Sequence, residues 1–498
     1  MNVNPITRLD YPDPDVIRVE DTYYMVSTTM HFMPGCEILQ SFDLVHWEHA
    51  TYVYETLDHT DAQQLKSGQN IYGQGMWAAS LRYHEGRFYI CFVANDTRKT
   101  YLYTSEKIDG PWKKQLIEGF YHDGSLLFDE DGRNYIVYGN DEIWITELNE
   151  DLTAPKKDGL HRILVSDHKN PELGYEGSHI QKINGYYYIF LVHSLRDRWM
   201  RTEACFYSDS LEGEFTGGDV LCDDRGYCGQ GVAQGGIVDT PDGKWYAMLF
   251  QDSGAVGRIP ILLPVTWKDH FPVFGQNGHV PEEIEVHSTR PGYIYQPLVG
   301  SDDFCNGLLP RWQFNHDPDP RYYHLDALQG TYTITTREVC TELTQAVNTL
   351  TQRMSYPSCA AEVTVDASAL KEGDVAGLCA LQGCYAAVGI TKHHGKYEVL
   401  MLDKKEDGIL DMTEGTVVES HQMDFRLEAD FCNMKDEARC YYRVNKGDWL
   451  PIGTVHKLYF KLDHFTGCRF GLFCYAAEET GGSACFRDFK YYDVDEIS

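Results

Sequence analysis

The sequence predicts an all-β chain, a five-bladed β-propeller followed by a β-sandwich. Three observations predict it. A strand–turn–strand unit recurs five times before residue 296. Long stretches with helical, amphipathic periodicity are absent. After Ser301 the repeat stops while strand-like runs continue.

The unit is a short apolar strand, a tight turn and a second strand that opens on aromatics. Its first copy runs Val16-Ile17-Arg18-Val19, Glu20-Asp21, Thr22-Tyr23-Tyr24. The second turns at Glu85-Gly86, the third at Asp131-Gly132, the fourth at Asn184-Gly185 and the fifth at Asp242-Gly243. Asp-Gly and Asn-Gly between apolar runs are the strongest short-range hairpin signal. The turns recur at intervals of 46 to 65 residues, enough for a four-stranded blade with its loops. Outer hairpins are expected where Ser and an acidic residue precede an aromatic, as in Ser41-Phe42-Asp43-Leu44-Val45-His46-Trp47 and Ser208-Asp209-Ser210-Leu211-Glu212-Gly213-Glu214-Phe215. The main structural rival is a sandwich with five similar hairpins.

Residues 1–296 therefore read as the propeller, with Pro291-Gly292 in the linker, and residues 302–498 as one all-β sandwich. Runs such as Ala360-Ala361-Glu362-Val363-Thr364-Val365 and Tyr397-Glu398-Val399-Leu400-Met401 supply its strands. Aromatics make up 13% of the chain, a load that suits strands and also the stacking of sugar rings.

A formal net charge of −32 argues against nucleic acid and against an anionic membrane, and is indifferent to a neutral sugar. No apolar run approaches the roughly 18 residues of a membrane span. The N-terminus lacks a basic stretch followed by an apolar one, and the 15 cysteines are odd in number and scattered, with no C-x-x-C pair. Reduced thiols and a cytoplasmic address are the expectation.

Counting back nine residues from the turn glycines gives Trp77, Asp123, Glu176 and Gln234; eight before Asp21 lies Asp13. If the copies are blades, these five positions open the inner strands and converge on the propeller mouth. Three of them are carboxylic acids. Acids gathered in a partly desolvated funnel repel one another, an arrangement folding alone would not favour. It becomes useful when the surroundings push their pKa values apart, so that one serves as base and another as acid. Glycosidic cleavage with inversion needs such a pair, roughly 6.5–9.5 Å apart so that a water fits between base and sugar.

Simpler readings exist for each residue. A single Asp at a strand start is commonly a cap. Three acids also suggest a metal, yet no D-x-D-x-D loop lies nearby. Trp77 suits an apolar sugar face or a plug in the axis. Met30 and Phe32 form a pocket wall or belong to the core. Arg258 reaches sugar hydroxyls or a carboxylate, or makes a surface ion pair. His179 is expected on the opposite face from Glu176, as a core histidine.

Tyr11-Pro12-Asp13-Pro14-Asp15-Val16, Tyr121-His122-Asp123-Gly124-Ser125 and Tyr175-Glu176-Gly177-Ser178-His179 together resemble, in order, the three motifs of glycoside hydrolase family 43. The resemblance covers roughly residues 4–290. It implies a five-bladed propeller of inverting enzymes, chiefly β-xylosidases, α-L-arabinofuranosidases and arabinanases. It implies Asp13 as general base, Glu176 as general acid and Asp123 as the residue that tunes and orients the acid. The run Ala346-Val347-Asn348-Thr349-Leu350-Thr351-Gln352-Arg353 resembles the sandwich of xylosidase members, in which a sandwich loop helps close an exo-acting pocket. Many members carry a His at the fifth inner position, associated with a calcium ion on the axis. Gln234 stands there in this chain, so no cofactor or metal is expected, with axial calcium kept as the alternative.

The expectation is an inverting exo-acting β-xylosidase that also accepts arabinose, working on xylo- or arabino-oligosaccharides. Trp77, Met30, Phe32, Arg258 and Gln234 are expected to hold the sugar. The alternatives are an α-L-arabinofuranosidase and, from another class, a non-catalytic sugar-binding propeller. Homo-oligomerisation is left open.

Overall fold

The computed structural model describes residues 3–413 and 415–493, so the extreme ends of the two expected units lie outside the described residues. Five four-stranded antiparallel sheets follow one another in the chain. Their inner strands are Asp15–Val19, Met76–His84, Ser125–Phe128, Glu176–Ile183 and Val232–Asp239, numbered here as blades 1 to 5. Among the described residues there is no α-helix. Apolar side chains of adjacent blades fill the gaps between them, such as Ile38, Leu81, Ile90 and Phe92 between blades 1 and 2.

The ring closes without sharing strands between its first and last blades. The N-terminal segment instead runs along Arg258–Lys268 of blade 5. Ile6 and Tyr11 donate their backbone N–H groups to the Pro260 and Arg258 carbonyls, and the Asn4 amide bonds both backbone groups of Leu262. This route delivers Tyr11-Pro12-Asp13 to the mouth.

Two further sheets form the sandwich. One runs from Tyr323–Asp326 through Ser358–Asp366 to Leu450–Lys457. The other is built on Gln313–Asn315, Leu350–Arg353, Arg469–Tyr475 and Val375–Leu381, and its edge is completed by a propeller segment. Phe32–Met33 pairs antiparallel with Gln313–Asn315. Leu378, Val388, Phe425, Leu427, Phe470 and Phe486 fill the space between the two sheets.

Arg353 locks the two domains together. It pairs with Glu37 of blade 1 at 2.8 Å, donates to the Asp10 carbonyl and stacks 4.0 Å from the Tyr11 ring. Asp10 in turn accepts from Arg258 N–H in blade 5 and from Gly467 N–H in the sandwich. The opening motif is thus fixed from both sides.

Candidate active site

Strand register shows which inner positions are equivalent. Blades 1, 2 and 4 have two-residue turns, with Val19 opposite Thr22, His84 opposite Arg87 and Ile183 opposite Tyr186. Blades 3 and 5 have three-residue turns, closed by Asp129 N–H to Arg133 O and Thr240 N–H to Lys244 O. Counting from the turn glycine therefore slips by one residue in blades 3 and 5. Asp13, Asp123 and Gln234 share one position with Gly177, whereas Trp77, His122 and Glu176 share the position before it. The expectation of five equivalent residues is corrected to two adjacent rows.

The first row carries backbone strain. Asp13, Asp123 and Gln234 have φ of +53°, +48° and +63°, and Gly177 has +67°. A side chain in this left-handed region costs on the order of 1 kcal/mol or more, which the surrounding structure must offset. The sharp bend turns both rows toward the mouth, and the ladder is irregular just after Trp77, Glu176 and Ala233.

Asp13 is buried and accepts from Thr28 Oγ1 at 2.6 Å and from Arg258 Nη1 at 3.0 Å. Asp123 accepts from Gly177 N–H at 3.1 Å. Burial pushes its carboxyl up to about 6; Glu176 and Asp13 add to the rise, and His122 opposes it. Glu176 accepts from the Asn140 amide at 2.8 Å. His122 Nε2 stands 3.5 Å from Glu176 Oε2 and 3.6 Å from Asp123 Oδ2. Asp123, and after it Glu176 and Asp13, lift the imidazole to about 9 against the effect of burial. Three carboxyl groups and one imidazole thus meet at one mouth.

A cavity of about 590 Å³ opens over Glu176, His122 and Trp77. Its walls come from both domains: Asn140, Trp199 and Arg201 from the propeller, and Phe460, Leu462 and Phe465 from the sandwich loop between Lys457 and Arg469. Phe465 stacks 4.2 Å from the Arg258 guanidinium and 5.5 Å from Trp77. The Arg258 Nε and Nη2 groups and the Trp77 indole N–H are buried with no partner among the described residues, donors free for a ligand.

One expected sugar contact falls elsewhere, and two others are held by protein contacts beside the site. Phe32 is drawn into the sandwich edge by its pairing with Asn315, and its ring lies 3.4 Å under the Arg469 guanidinium. Met30 is buried in a bridge to Met76, the residue before Trp77. Gln234 gives its N–H to Glu203 at 2.7 Å and lies so close to Gly177 that a Cβ there would meet its Cγ at 2.7 Å. His179 is buried as expected, yet it faces the axis, because the irregular ladder after Glu176 turns it toward Asp15 at 3.1 Å.

The axis below the mouth is occupied by Arg82. It pairs with Asp15 of blade 1 at 2.8 Å and donates to Ser125 and the Leu126 carbonyl of blade 3 and to the Ile180 carbonyl of blade 4. Asp15 also accepts from Leu81 N–H. Oxygens committed to a guanidinium in this way do not fit a calcium site.

Sequence reasoning passed over four residues of the site. His122 stands inside the motif Tyr121-His122-Asp123-Gly124-Ser125, and only the strand register puts it in the row of Glu176. Asn140 and Arg201 lie on second and third strands, which the repeat does not mark as facing the mouth. Phe465 comes from the other domain, where no period exists to locate it.

The family model for glycosyl hydrolases family 43 matches residues 3–272, and that for the β-xylosidase C-terminal concanavalin A-like domain matches residues 301–492. A β-xylosidase of Formosa agariphila is 26% identical, over 99% of this chain and 89% of that protein. A non-reducing-end α-L-arabinofuranosidase of Bacteroides ovatus is 26% identical, over 66% of this chain and 63% of its own length. A bifunctional GH43–CE structure from Bacteroides eggerthii superposes with a TM-score of 0.92 at 42% identity, covering 99% of this chain, which spans 64% of that structure's length. Because the first match spans more than half of the chain and all of the residues that bend into the mouth, the chain belongs to glycosyl hydrolases family 43 and is a glycosidase.

Proposed function

We propose that the chain releases a terminal pentose, xylose first and arabinose second, from short plant-type oligosaccharides with inversion. The observation that carries this reading is the meeting of Asp13, Asp123 and Glu176 at one mouth capped by the sandwich loop. Asp13 is the base: Thr28 and Arg258 hold its two oxygens in place to take a proton from water. Glu176 is the acid that protonates the leaving oxygen, held by Asn140. Asp123 orients Glu176 through Gly177 N–H and modulates its acidity. Trp77 and Arg258 offer the sugar an apolar face and free donors. Relatives named β-xylosidase and α-L-arabinofuranosidase support both sugars.

The chemistry proposed needs no metal, a reading supported by the Arg82 charge on the axis. A reducing compartment is supported by fifteen free thiols. The deciding experiment is Asp13→Ala with aryl β-xyloside and aryl α-L-arabinofuranoside, following the anomer released by NMR. Loss of turnover with first release of α-xylose from wild type is expected. Turnover near wild type in the variant ends the assignment, and faster release of arabinose makes the arabinofuranosidase reading the better one.

A further inference from the structure

The row that holds Glu176 and Trp77 also holds His122, which the roles above leave unused. Its Nε2 is buried, lies between two carboxyl oxygens at 3.5 and 3.6 Å, and makes no hydrogen bond within normal length among the described residues. The donor atoms of His122, Asp123 and Glu176 all fall within 4.8 Å of one another. The titratable groups facing it are Asp123 on its own blade, Glu176 on blade 4 and Asp13 on blade 1, with the Trp77 ring of blade 2 at 6.2 Å and Arg201 in the cavity wall. All three titratable neighbours are acids.

We propose that His122 is a positioning residue of the acid side: an imidazolium that pairs with Asp123 and faces Oε2 of the Glu176 carboxyl. The inference rests on the reading of Glu176 as general acid. The charge balance makes it work. Before reaction the Asp123 carboxylate and the His122 cation neutralise one another, so the pair adds no net charge beside Glu176. In the transition state the Glu176 carboxyl gives its proton to the leaving oxygen as the glycosidic bond breaks, and negative charge grows over both carboxyl oxygens, including the Oε2 that His122 faces. The His122 cation is already in place to stabilise it, in a cavity with apolar walls where such an interaction is strong. The same cation keeps Asp123 ionised against its burial. The bend at Asp123, with φ of +48°, sets the direction of the backbone that carries His122.

A purely structural histidine and a cation acting on the acid make different predictions. A leaving group that departs without protonation needs no help from Glu176, hence none from His122. Wild type, His122→Gln and Glu176→Ala are compared on xylobiose and on a series of aryl β-xylosides ending at 2,4-dinitrophenyl. His122→Gln is expected to lower kcat/KM roughly 100-fold on xylobiose. It should lose far less on the dinitrophenyl sugar, in parallel with Glu176→Ala. An equal loss across the series in His122→Gln, with Glu176→Ala still showing the dependence, overturns the proposal and leaves the acid assignment standing. Absence of the dependence in Glu176→Ala overturns both. If His122→Gln does not fold, the wild-type pH profile decides. Activity on xylobiose should fall with an alkaline midpoint that dinitrophenyl xyloside does not share, and identical profiles overturn the proposal.

Discussion

The Phe465 ring of the sandwich lies 4.2 Å from the guanidinium of Arg258, which in turn holds Asp13 at 3.0 Å. Catalytic domain and accessory domain therefore build one pocket, and neither surrounds a sugar alone. Phe465 is only partly buried, so its removal should do little to folding. Phe465→Ala is expected to weaken inhibition by free pentose about tenfold, from the loss of roughly 1–2 kcal/mol of stacking and apolar cover. KM should rise more than kcat falls. Product-inhibition constants check it, and unchanged constants would show that the loop does not touch the sugar.

Asp123 links stability to function. Burial raises its carboxyl to about 6 in the folded chain, above the value of 3.8 for a free side chain. A raised carboxyl favours folding below the unfolded value and loses that contribution as pH climbs through about 6. At pH 8 the ionised Asp123 is therefore a cost to the fold. Asp123→Asn should melt at a higher temperature than wild type at pH 8, with the gain shrinking below pH 6, while activity collapses. Thermal melts at pH 5 and pH 8 test the sign; a lower melting temperature at pH 8 refutes it.

How much of this was legible in the sequence depends on the kind of interaction. Four of the five hairpins announce themselves because Gly86, Gly132, Gly185 and Gly243 each carry the positive φ that a tight turn requires, whereas Glu20 adopts it in the first. The three acids are legible because each opens an inner strand at nearly the same distance from such a turn. The two-row arrangement is not, since one extra turn residue at Glu130 or Pro241 leaves the local pattern intact and shifts the register. Phe32 misleads for another reason. An aromatic after a hairpin fits a pocket wall equally well, and only its pairing with a strand some 280 residues later decides otherwise. Contacts made between domains leave no local trace in either segment.

Three histidines sit behind the pocket loop, where the domains meet. The His31 ring lies 4.8 Å from His316 and 5.9 Å from His464, which stacks on Tyr72 at 3.9 Å. Neither nitrogen of His31 has a partner among the described residues. Burial, then His316 and His464, hold His31 well below the usual 6.5, and burial lowers His464 to about 4. Groups lowered on folding stabilise the fold above about 6.5 and lose that contribution as pH falls toward about 4. The melting temperature should drop steeply over this window, and His31→Phe should flatten the drop by removing one proton site. A variant as acid-sensitive as wild type would locate the acid lability elsewhere.

The Arg82 guanidinium joins blades 1, 3 and 4 beneath the mouth, its partner Asp15 almost wholly buried. Burial would raise the Asp15 carboxyl, but Arg82 and then His179 overcome it and hold the group below its usual value. Removing one member of such a pair strands the other charge, at about 3–5 kcal/mol. Arg82→Met should therefore destabilise the propeller by roughly that amount in urea or thermal unfolding. Chelation should have no such effect: EDTA is expected to leave both the melting temperature and xyloside turnover of wild type unchanged. The two experiments pull in opposite directions if the axis instead depends on a bound cation. In that case EDTA lowers the melting temperature and added calcium restores it, while Arg82→Met costs little.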